Sequence, residues 1–438
     1  MSSNRLPNPF TPTKPVPPKR FIARIYEISA ACSLIDSRGH VAIWGGPGMG
    51  KRSLLEKLAD PQTLQEYGIN PSQAVIVLLS CESITPFTPD GFWREVLNET
   101  QNHLDSEPQL QNEIQTMLEN GQTNRHSLRQ ILKKLNQQDK FLLLLVDDFD
   151  TALNLREDEK YTKADMINFL SECRSLAVHD TRNLSMIVTS RKRLYELVPD
   201  VNPAASPWYN HYLFLHLKLF SEQEVDELLK PLTPHLTPEL RAGISRITGG
   251  HPALLQLAGF HLYNFFNNSG NSKTSSVDEF NQFFFKEFES NTRNIFEIIW
   301  SNCNEVEQTL LMLIALSISS GRLHKRKNFD LSGIDLIFTQ HERELSNLEE
   351  QGIIIHKTNI ENKRSPNIYT FTSTIMERFV IQEIWNTENT NIQNRQRVFL
   401  RLMSHEQVNK VTELVQWLGK HQKDIFSVLE TSVKLLGN

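Results

Sequence analysis

The stretch His40-Val41-Ala42-Ile43-Trp44-Gly45-Gly46-Pro47-Gly48-Met49-Gly50-Lys51-Arg52-Ser53-Leu54-Leu55 runs an apolar strand into a glycine-rich turn that ends in Gly-Lys and opens a helix. Gly45, Gly46, Gly48 and Gly50 allow successive backbone N–H groups to curl around phosphate oxygens. Lys51 reaches the outer phosphates, and the helix start adds its positive end. Pro47, Met49 and Ser53 complete the segment expected to hold nucleotide. One residue does not conform: the hydroxyl that should follow the lysine and hold magnesium is replaced by Arg52. Ser53 lies one position, about 100°, further round the helix.

The glycine-lysine string alone is a weak argument; its context strengthens it. Phe141-Leu142-Leu143-Leu144-Leu145-Val146-Asp147-Asp148-Phe149-Asp150 is an apolar run long enough for a strand buried on both faces, ending in acids. Behind a phosphate loop, Asp147 suits the orientation of magnesium and its water, and Asp148 suits acceptance of a proton from an attacking water. Asp150 can cap the next helix. A third strand, Ser185-Met186-Ile187-Val188-Thr189-Ser190-Arg191, ends in hydroxyls and an arginine. In a parallel sheet it would finish at the same edge, where Arg191 can read the terminal phosphate and Thr189 or Ser190 can hold the water.

Composition bounds the rest. With 438 residues, a formal net charge of −5 and 22% charged residues, the chain is long enough for two to four domains and is no polycation. Cys32, Cys81, Cys173 and Cys303 are scattered without metal-ligand spacing, which fits a reducing interior. No hydrophobic signal core opens the chain and no apolar run is long enough for a bilayer, so a cytoplasmic protein is expected.

Residues 1–20 are a Pro-rich arm, expected to run extended, and residues 21–218 alternate between helix and strand as an α/β domain with a mostly parallel sheet. Strands are expected at 40–44, 74–80, 141–147, 185–190 and 211–217. Residues 219–268 read as three helices, one starting at Thr237-Pro238-Glu239, and 269–276 as a polar linker. Residues 277–388 carry helices expected at Val306–Ser317, near 331–338 and at Glu342–Gln351, then strands at Gly352–His356 and Tyr369–Thr372 around a polar turn, then another helix, a winged-helix pattern. Residues 389–438 read as a small helical module.

The order of phosphate loop, double acid, Thr189-Ser190-Arg191, a three-helix segment with Gly249-Gly250-His251-Pro252-Ala253, and a winged helix resembles the STAND class of signalling P-loop NTPases. Phe21-Ile22-Ala23-Arg24 is similar to the arginine motif preceding the loop in that class and in AAA-type relatives. The resemblance implies an AAA-like ATPase core with a helical lid, and ATP or ADP as the cofactor, with Mg2+ on Asp147. It implies that Arg24 and Pro252 contact nucleotide, Pro252 against the adenine. It also implies that ADP holds the molecule closed and ATP opens it for assembly with an effector or adaptor protein, here through residues 390–438, as in bacterial conflict and antiviral defence systems. Ala23 replaces the motif's usual glycine, Ile25 its common acid, and Tyr369–Thr372 lacks a histidine often found there. With Arg52, these departures weigh against hydrolysis more than against binding. The alternative is a DNA-associated ATPase of the origin-binding or transposition-helper type, supported by the basic segment Arg322-Leu323-His324-Lys325-Arg326-Lys327.

Overall fold

The computed structural model describes residues 7–104, 106–155, 161–198, 207–268, 277–322, 334–357 and 368–385, with a few more between 402 and 413. The linker at 269–276, residues 323–327 of the basic segment, the turn at 360–366 and most of 389–438 lie outside the described residues. Two compact units emerge, one built from residues 14–46 and 50–217, the other from the chain up to residue 13, residues 47–49 and residues from 218 onward.

The first unit alternates α1 (Ile25–Asp36), β1 (His40–Trp44), α2 (Lys51–Ala59), α3 (Pro61–Glu66), β2 (Ala74–Ser80), α4 (Pro89–Asn102), α5 (Pro108–Glu119) and α6 (Arg125–Gln137). It continues with β3 (Phe141–Asp147), α7 (Asp150–Leu153), α8 (Lys163–His179), β4 (Leu184–Ser190), α9 (Leu194–Leu197) and β5 (Tyr212–His216). The strands form one parallel sheet in the order β2-β3-β4-β1-β5. Every residue of β1, β3 and β4 is buried, as their uninterrupted apolar runs require, whereas β2 at the edge alternates between buried and half-buried. Trp93, Phe92, Phe149 and Phe169 make an aromatic knot against β3, with Leu142, Leu144 and Val146 in the same core. The Trp93 indole donates to Glu172 at 2.7 Å, so the buried ring keeps a partner.

The order of strands matters for function. β1, β4 and β3 lie side by side and point the same way, so their C-terminal ends deliver Trp44 and the loop after it, Ser190, and Asp147 to one edge. Trp44 pairs with Ser190, and Val146 with Val188.

The second unit is helical: α10 (Glu222–Leu229), α11 (Pro238–Thr248), α12 (Pro252–Asn268), α13 (Val277–Asn302), α14 (Glu305–Arg322), α15 (Ile334–Gln340) and α16 (Glu342–Glu350). Then come β6 (Ile354–Lys357) and β7 (Ile368–Phe371), an antiparallel pair, and α17 (Thr374–Trp385). Thr237 caps α11 by accepting from the Leu240 amide at 3.2 Å, with Pro238 in the first turn. The long helix α13 answers to no element expected from the sequence; it buries Phe284, Phe288, Thr292, Phe296 and Trp300, a ladder of fours. Residues at the head of the chain belong to this unit. The Phe10 ring sits over Gly259 of α12, where any added Cβ would come within 2.3 Å of the ring. Asn8 Nδ2 donates to Phe260 O and Asn264 Oδ1, and the Thr11 amide donates to Gln256 Oε1. This part of the arm is docked. Among the described residues no helix is long and apolar enough to cross a membrane.

Candidate nucleotide site

The helices α4, α6, α8 and α10 each begin with a side chain that accepts from their own first-turn amides, namely Thr88, Asn124, Thr162 and Ser221. α2 does not. Its N-cap is Gly50, with φ at 88° and no side-chain cap, so the orphan amides of its first turn are left for an anion. Two glycines of the loop are required for different reasons. Gly50 needs only its left-handed backbone, since an added Cβ would meet nothing within 4 Å. Gly48, at φ 74°, needs space as well, because a Cβ would fall 2.6 Å from His251 Cε1 and 2.9 Å from Ala253 Cβ. Around this loop tip His251 Nε2 donates to Pro47 O at 3.0 Å and the Ala253 amide to Gly48 O at 3.2 Å, while Met49 is buried. Pro252 is the first residue of α12, a position where its missing N–H costs nothing.

At the foot of the loop, the Gly45 amide donates to Ser190 O at 3.2 Å. Lys51 Nζ donates to Gly45 O at 2.7 Å and Gly46 O at 3.1 Å, folded over the loop it serves. Burial draws the Lys51 ammonium below its ordinary pKa, opposed by the charges of Asp150, Asp147 and Asp148.

The acids at the end of β3 are all engaged. Thr189 Oγ1 donates to Asp147 Oδ1 at 2.5 Å and accepts from the Asp148 amide at 3.2 Å, so one hydroxyl braces both residues. Burial pushes the Asp147 carboxyl up, with the Thr189 hydrogen bond as the main opposing effect. Asp148 holds a left-handed backbone at φ 52°, and its Oδ2 accepts from Ser80 Oγ at 2.9 Å. Asp150 accepts from the Arg191 amide through both oxygens at 3.0 Å and from Arg191 Nε at 3.2 Å. Burial raises the Asp150 carboxyl, and the Arg191 charge opposes this most strongly.

Arg52 Nη1 stands 3.7 Å from Asp147 Oδ2, and Arg52 Nε stands 3.3 Å from Glu56 Oε1. Ser53 is buried, and its Oγ accepts from the Val16 amide of the arm at 3.0 Å. Arg24 is the N-cap of α1, buried, at φ 63°, with Nη1 3.5 Å from Glu27 Oε1. Ala23 before it has φ 73°. That is a conformation glycine adopts without penalty, which explains the residue type the arginine motif favours. The structure therefore unites Lys51 with the loop carbonyls, Arg52 with Asp147, and Arg191 with Asp150. Sequence reasoning did not find Ser80 as partner of Asp148, His251 as a donor to the loop, or the arm as partner of Ser53. The Gly249-Gly250-His251-Pro252 string was the available signal for His251.

A profile of the AAA domain family matches residues 35–198, the span from the end of α1 to the end of α9. This segment is a P-loop NTPase domain. The chain is similar in structure to the Walker-type ATPase PABY2304 of Pyrococcus abyssi, at 15% identity and a TM-score of 0.51, covering 84% of this chain and 98% of that one. It is also similar to the Aeropyrum pernix ORC2 protein in its ADPNP–ADP complexes, at 15% identity and a TM-score of 0.47, covering 83% and 95%. No curated protein sequence matches significantly. At such identities the structural likeness speaks for the fold alone, and the nucleotide-binding AAA-type character rests on the matched segment and its loop.

Proposed function

We propose that the chain is an adenine-nucleotide-controlled signalling switch of the STAND type, in which the bound nucleotide governs opening and assembly with an effector. The setting we favour is a defence or conflict system. The carrying observation is an asymmetry at one sheet edge: the parts that hold phosphate are intact, whereas the groups that hydrolysis would use are drawn into internal pairs. Asp148 is held by Ser80 and Arg191 by Asp150. A carboxylate oxygen already accepting from a hydroxyl is less free to receive a proton from water, and an arginine paired to a buried acid is less available to a phosphate. Turnover is therefore slow if it occurs, and information resides in which nucleotide is bound.

The helix order of the second unit and its antiparallel β6–β7 pair support a lid followed by a winged helix, with residues 389–438 proposed as the effector contact. The test incubates the full chain with ATP and with ADP, then measures bound nucleotide, phosphate release and molecular size together. Retained nucleotide, slow release and a size that differs between the two nucleotides are expected; identical size with ATP, ADP and neither overturns the switch. Deleting residues 390–438 should preserve nucleotide binding while removing assembly. Tight DNA binding lost on neutralising Arg322, Lys325, Arg326 and Lys327 would instead establish the DNA-associated alternative.

A further inference from the structure

A magnesium ion in a P-loop site takes a hydroxyl from the residue after the lysine, and an acid at the end of the neighbouring strand holds it or its water. Each of these places is spoken for here. The hydroxyl position is Arg52, a side chain with five donors and no acceptor, which cannot ligate a cation. The next hydroxyl, Ser53, is buried and receives the Val16 amide. The acid, Asp147, has one oxygen on the Thr189 hydroxyl and the other beside the Arg52 guanidinium. Among the described residues, no group of three or more His, Cys, Asp or Glu side chains is arranged to hold a metal ion. The residues present do not fit a magnesium ion.

They do fit a fixed cation. The Asp147 side chain is only 9% exposed and stands beside Arg52 Nη1, whereas the Arg52 side chain is 38% exposed, so the arginine has a buried acid for a partner and remains accessible. Glu56, one turn along α2, steadies it from behind through Nε. A planar fork of donors beside the first turn of α2 suits phosphate oxygens, which Arg binds with two parallel hydrogen bonds. We infer that Arg52 replaces the divalent ion in this chain: it neutralises the nucleotide's phosphates from the metal's place, and Asp147 positions the guanidinium instead of a metal-bound water.

The inference deepens the nucleotide-switch reading and rests on it. It gives that switch a specific property, nucleotide retention without a divalent cation. A guanidinium never deprotonates in the physiological range and cannot be chelated away, so the bound state would be indifferent to magnesium.

The test is equilibrium binding of ADP to the full chain, by calorimetry, in excess Mg2+ and in EDTA. Wild type is expected to bind equally in both. Arg52→Lys keeps a cation and should keep most of the EDTA-resistant affinity. Arg52→Thr should lose about tenfold or more in EDTA, the worth of a charge-assisted contact, and recover when Mg2+ is added, since threonine supplies the missing hydroxyl. Because Arg52 is partly exposed, these variants should melt near wild type, which separates a binding effect from misfolding. Wild-type binding that needs Mg2+, or Arg52→Thr binding in EDTA as wild type does, overturns the inference and leaves the switch standing. No ADP binding in either buffer overturns the switch reading as well.

Discussion

Two halves of one short segment have followed different rules. From Gly45 to Lys51 the chain keeps what an anion needs: left-handed glycines, an uncapped helix start and a lysine over the loop. From Arg52 to Ser53 it discards what a metal needs, spending one side chain on Asp147 and the other on the arm. Phosphate recognition relies on backbone donors whose placement the fold enforces, so it survives side-chain change. Metal ligation relies on individual oxygens, and a single substitution removes it.

The comparison can be broken most decisively at Lys51. Lys51→Ala should weaken ATP and ADP binding on the order of a hundredfold, because the phosphates lose the ammonium that lies over the loop. Equal affinities for wild type and variant in a fluorescence titration would show that the loop holds no phosphate. Next in size is the contrast between two glycines. Gly48→Ala meets both a strained backbone and a filled space, and should cost about 3 kcal/mol; Gly50→Ala meets strain alone and should cost about 1 to 2 kcal/mol. Denaturant melts that place Gly50→Ala below Gly48→Ala would refute the packing of the loop tip against His251 and Ala253.

A control comes from the other end of β1. Burial lowers the pKa of His40 to about 4 and that of His211 to about 3, both from 6.5. Between pH 6.5 and these values the unfolded chain binds more protons than the folded one, so stability is complete above 6.5 and falls as the pH drops through 4. The expected loss is on the order of 3 kcal/mol from His40. Its Nδ1 accepts the Met186 amide, so His40→Gln, which offers an amide oxygen, should flatten the acid limb of the melting temperature without changing ADP binding at neutral pH. An unchanged acid limb would deny that these imidazoles stay neutral. The smallest effect is catalytic: Arg52→Thr should raise magnesium-dependent phosphate release severalfold over a slow wild type, still limited by the pairing of Asp148 and Arg191. Brisk wild-type turnover, lost on Asp148→Asn and indifferent to residue 52, would erase the distinction between the halves.

What could be read in the chain divides along similar lines. β1, β2 and β3 occupy the spans their apolar patterns indicate, and β4 and β5 differ only at their end residues, since uninterrupted burial leaves a local signature. The helix start at Thr237-Pro238 is equally local. The strand order is not local, and neither are the contacts that depend on it, such as Thr189 on Asp147 or Ser80 on Asp148. These join residues 42 and 68 positions apart. α13 is a different failure. Its ladder of fours is present in the sequence, but the run Phe283-Phe284-Phe285 blurs the period and a polar stretch precedes it. For the arm, proline content forbids a long helix and says nothing of where Phe10 would go. The arm does form a 3-10 turn at Pro18–Arg20.

Phe10 and Gly259 make a lock and its keyhole far apart in the numbering, and this governs how the chain can be cut. Starting the chain at residue 21 would strip an aromatic plug from α12 along with the bonds from Asn8 and Thr11. The bared notch would expose apolar surface, so such a fragment should be sticky in solution for a reason unrelated to nucleotide.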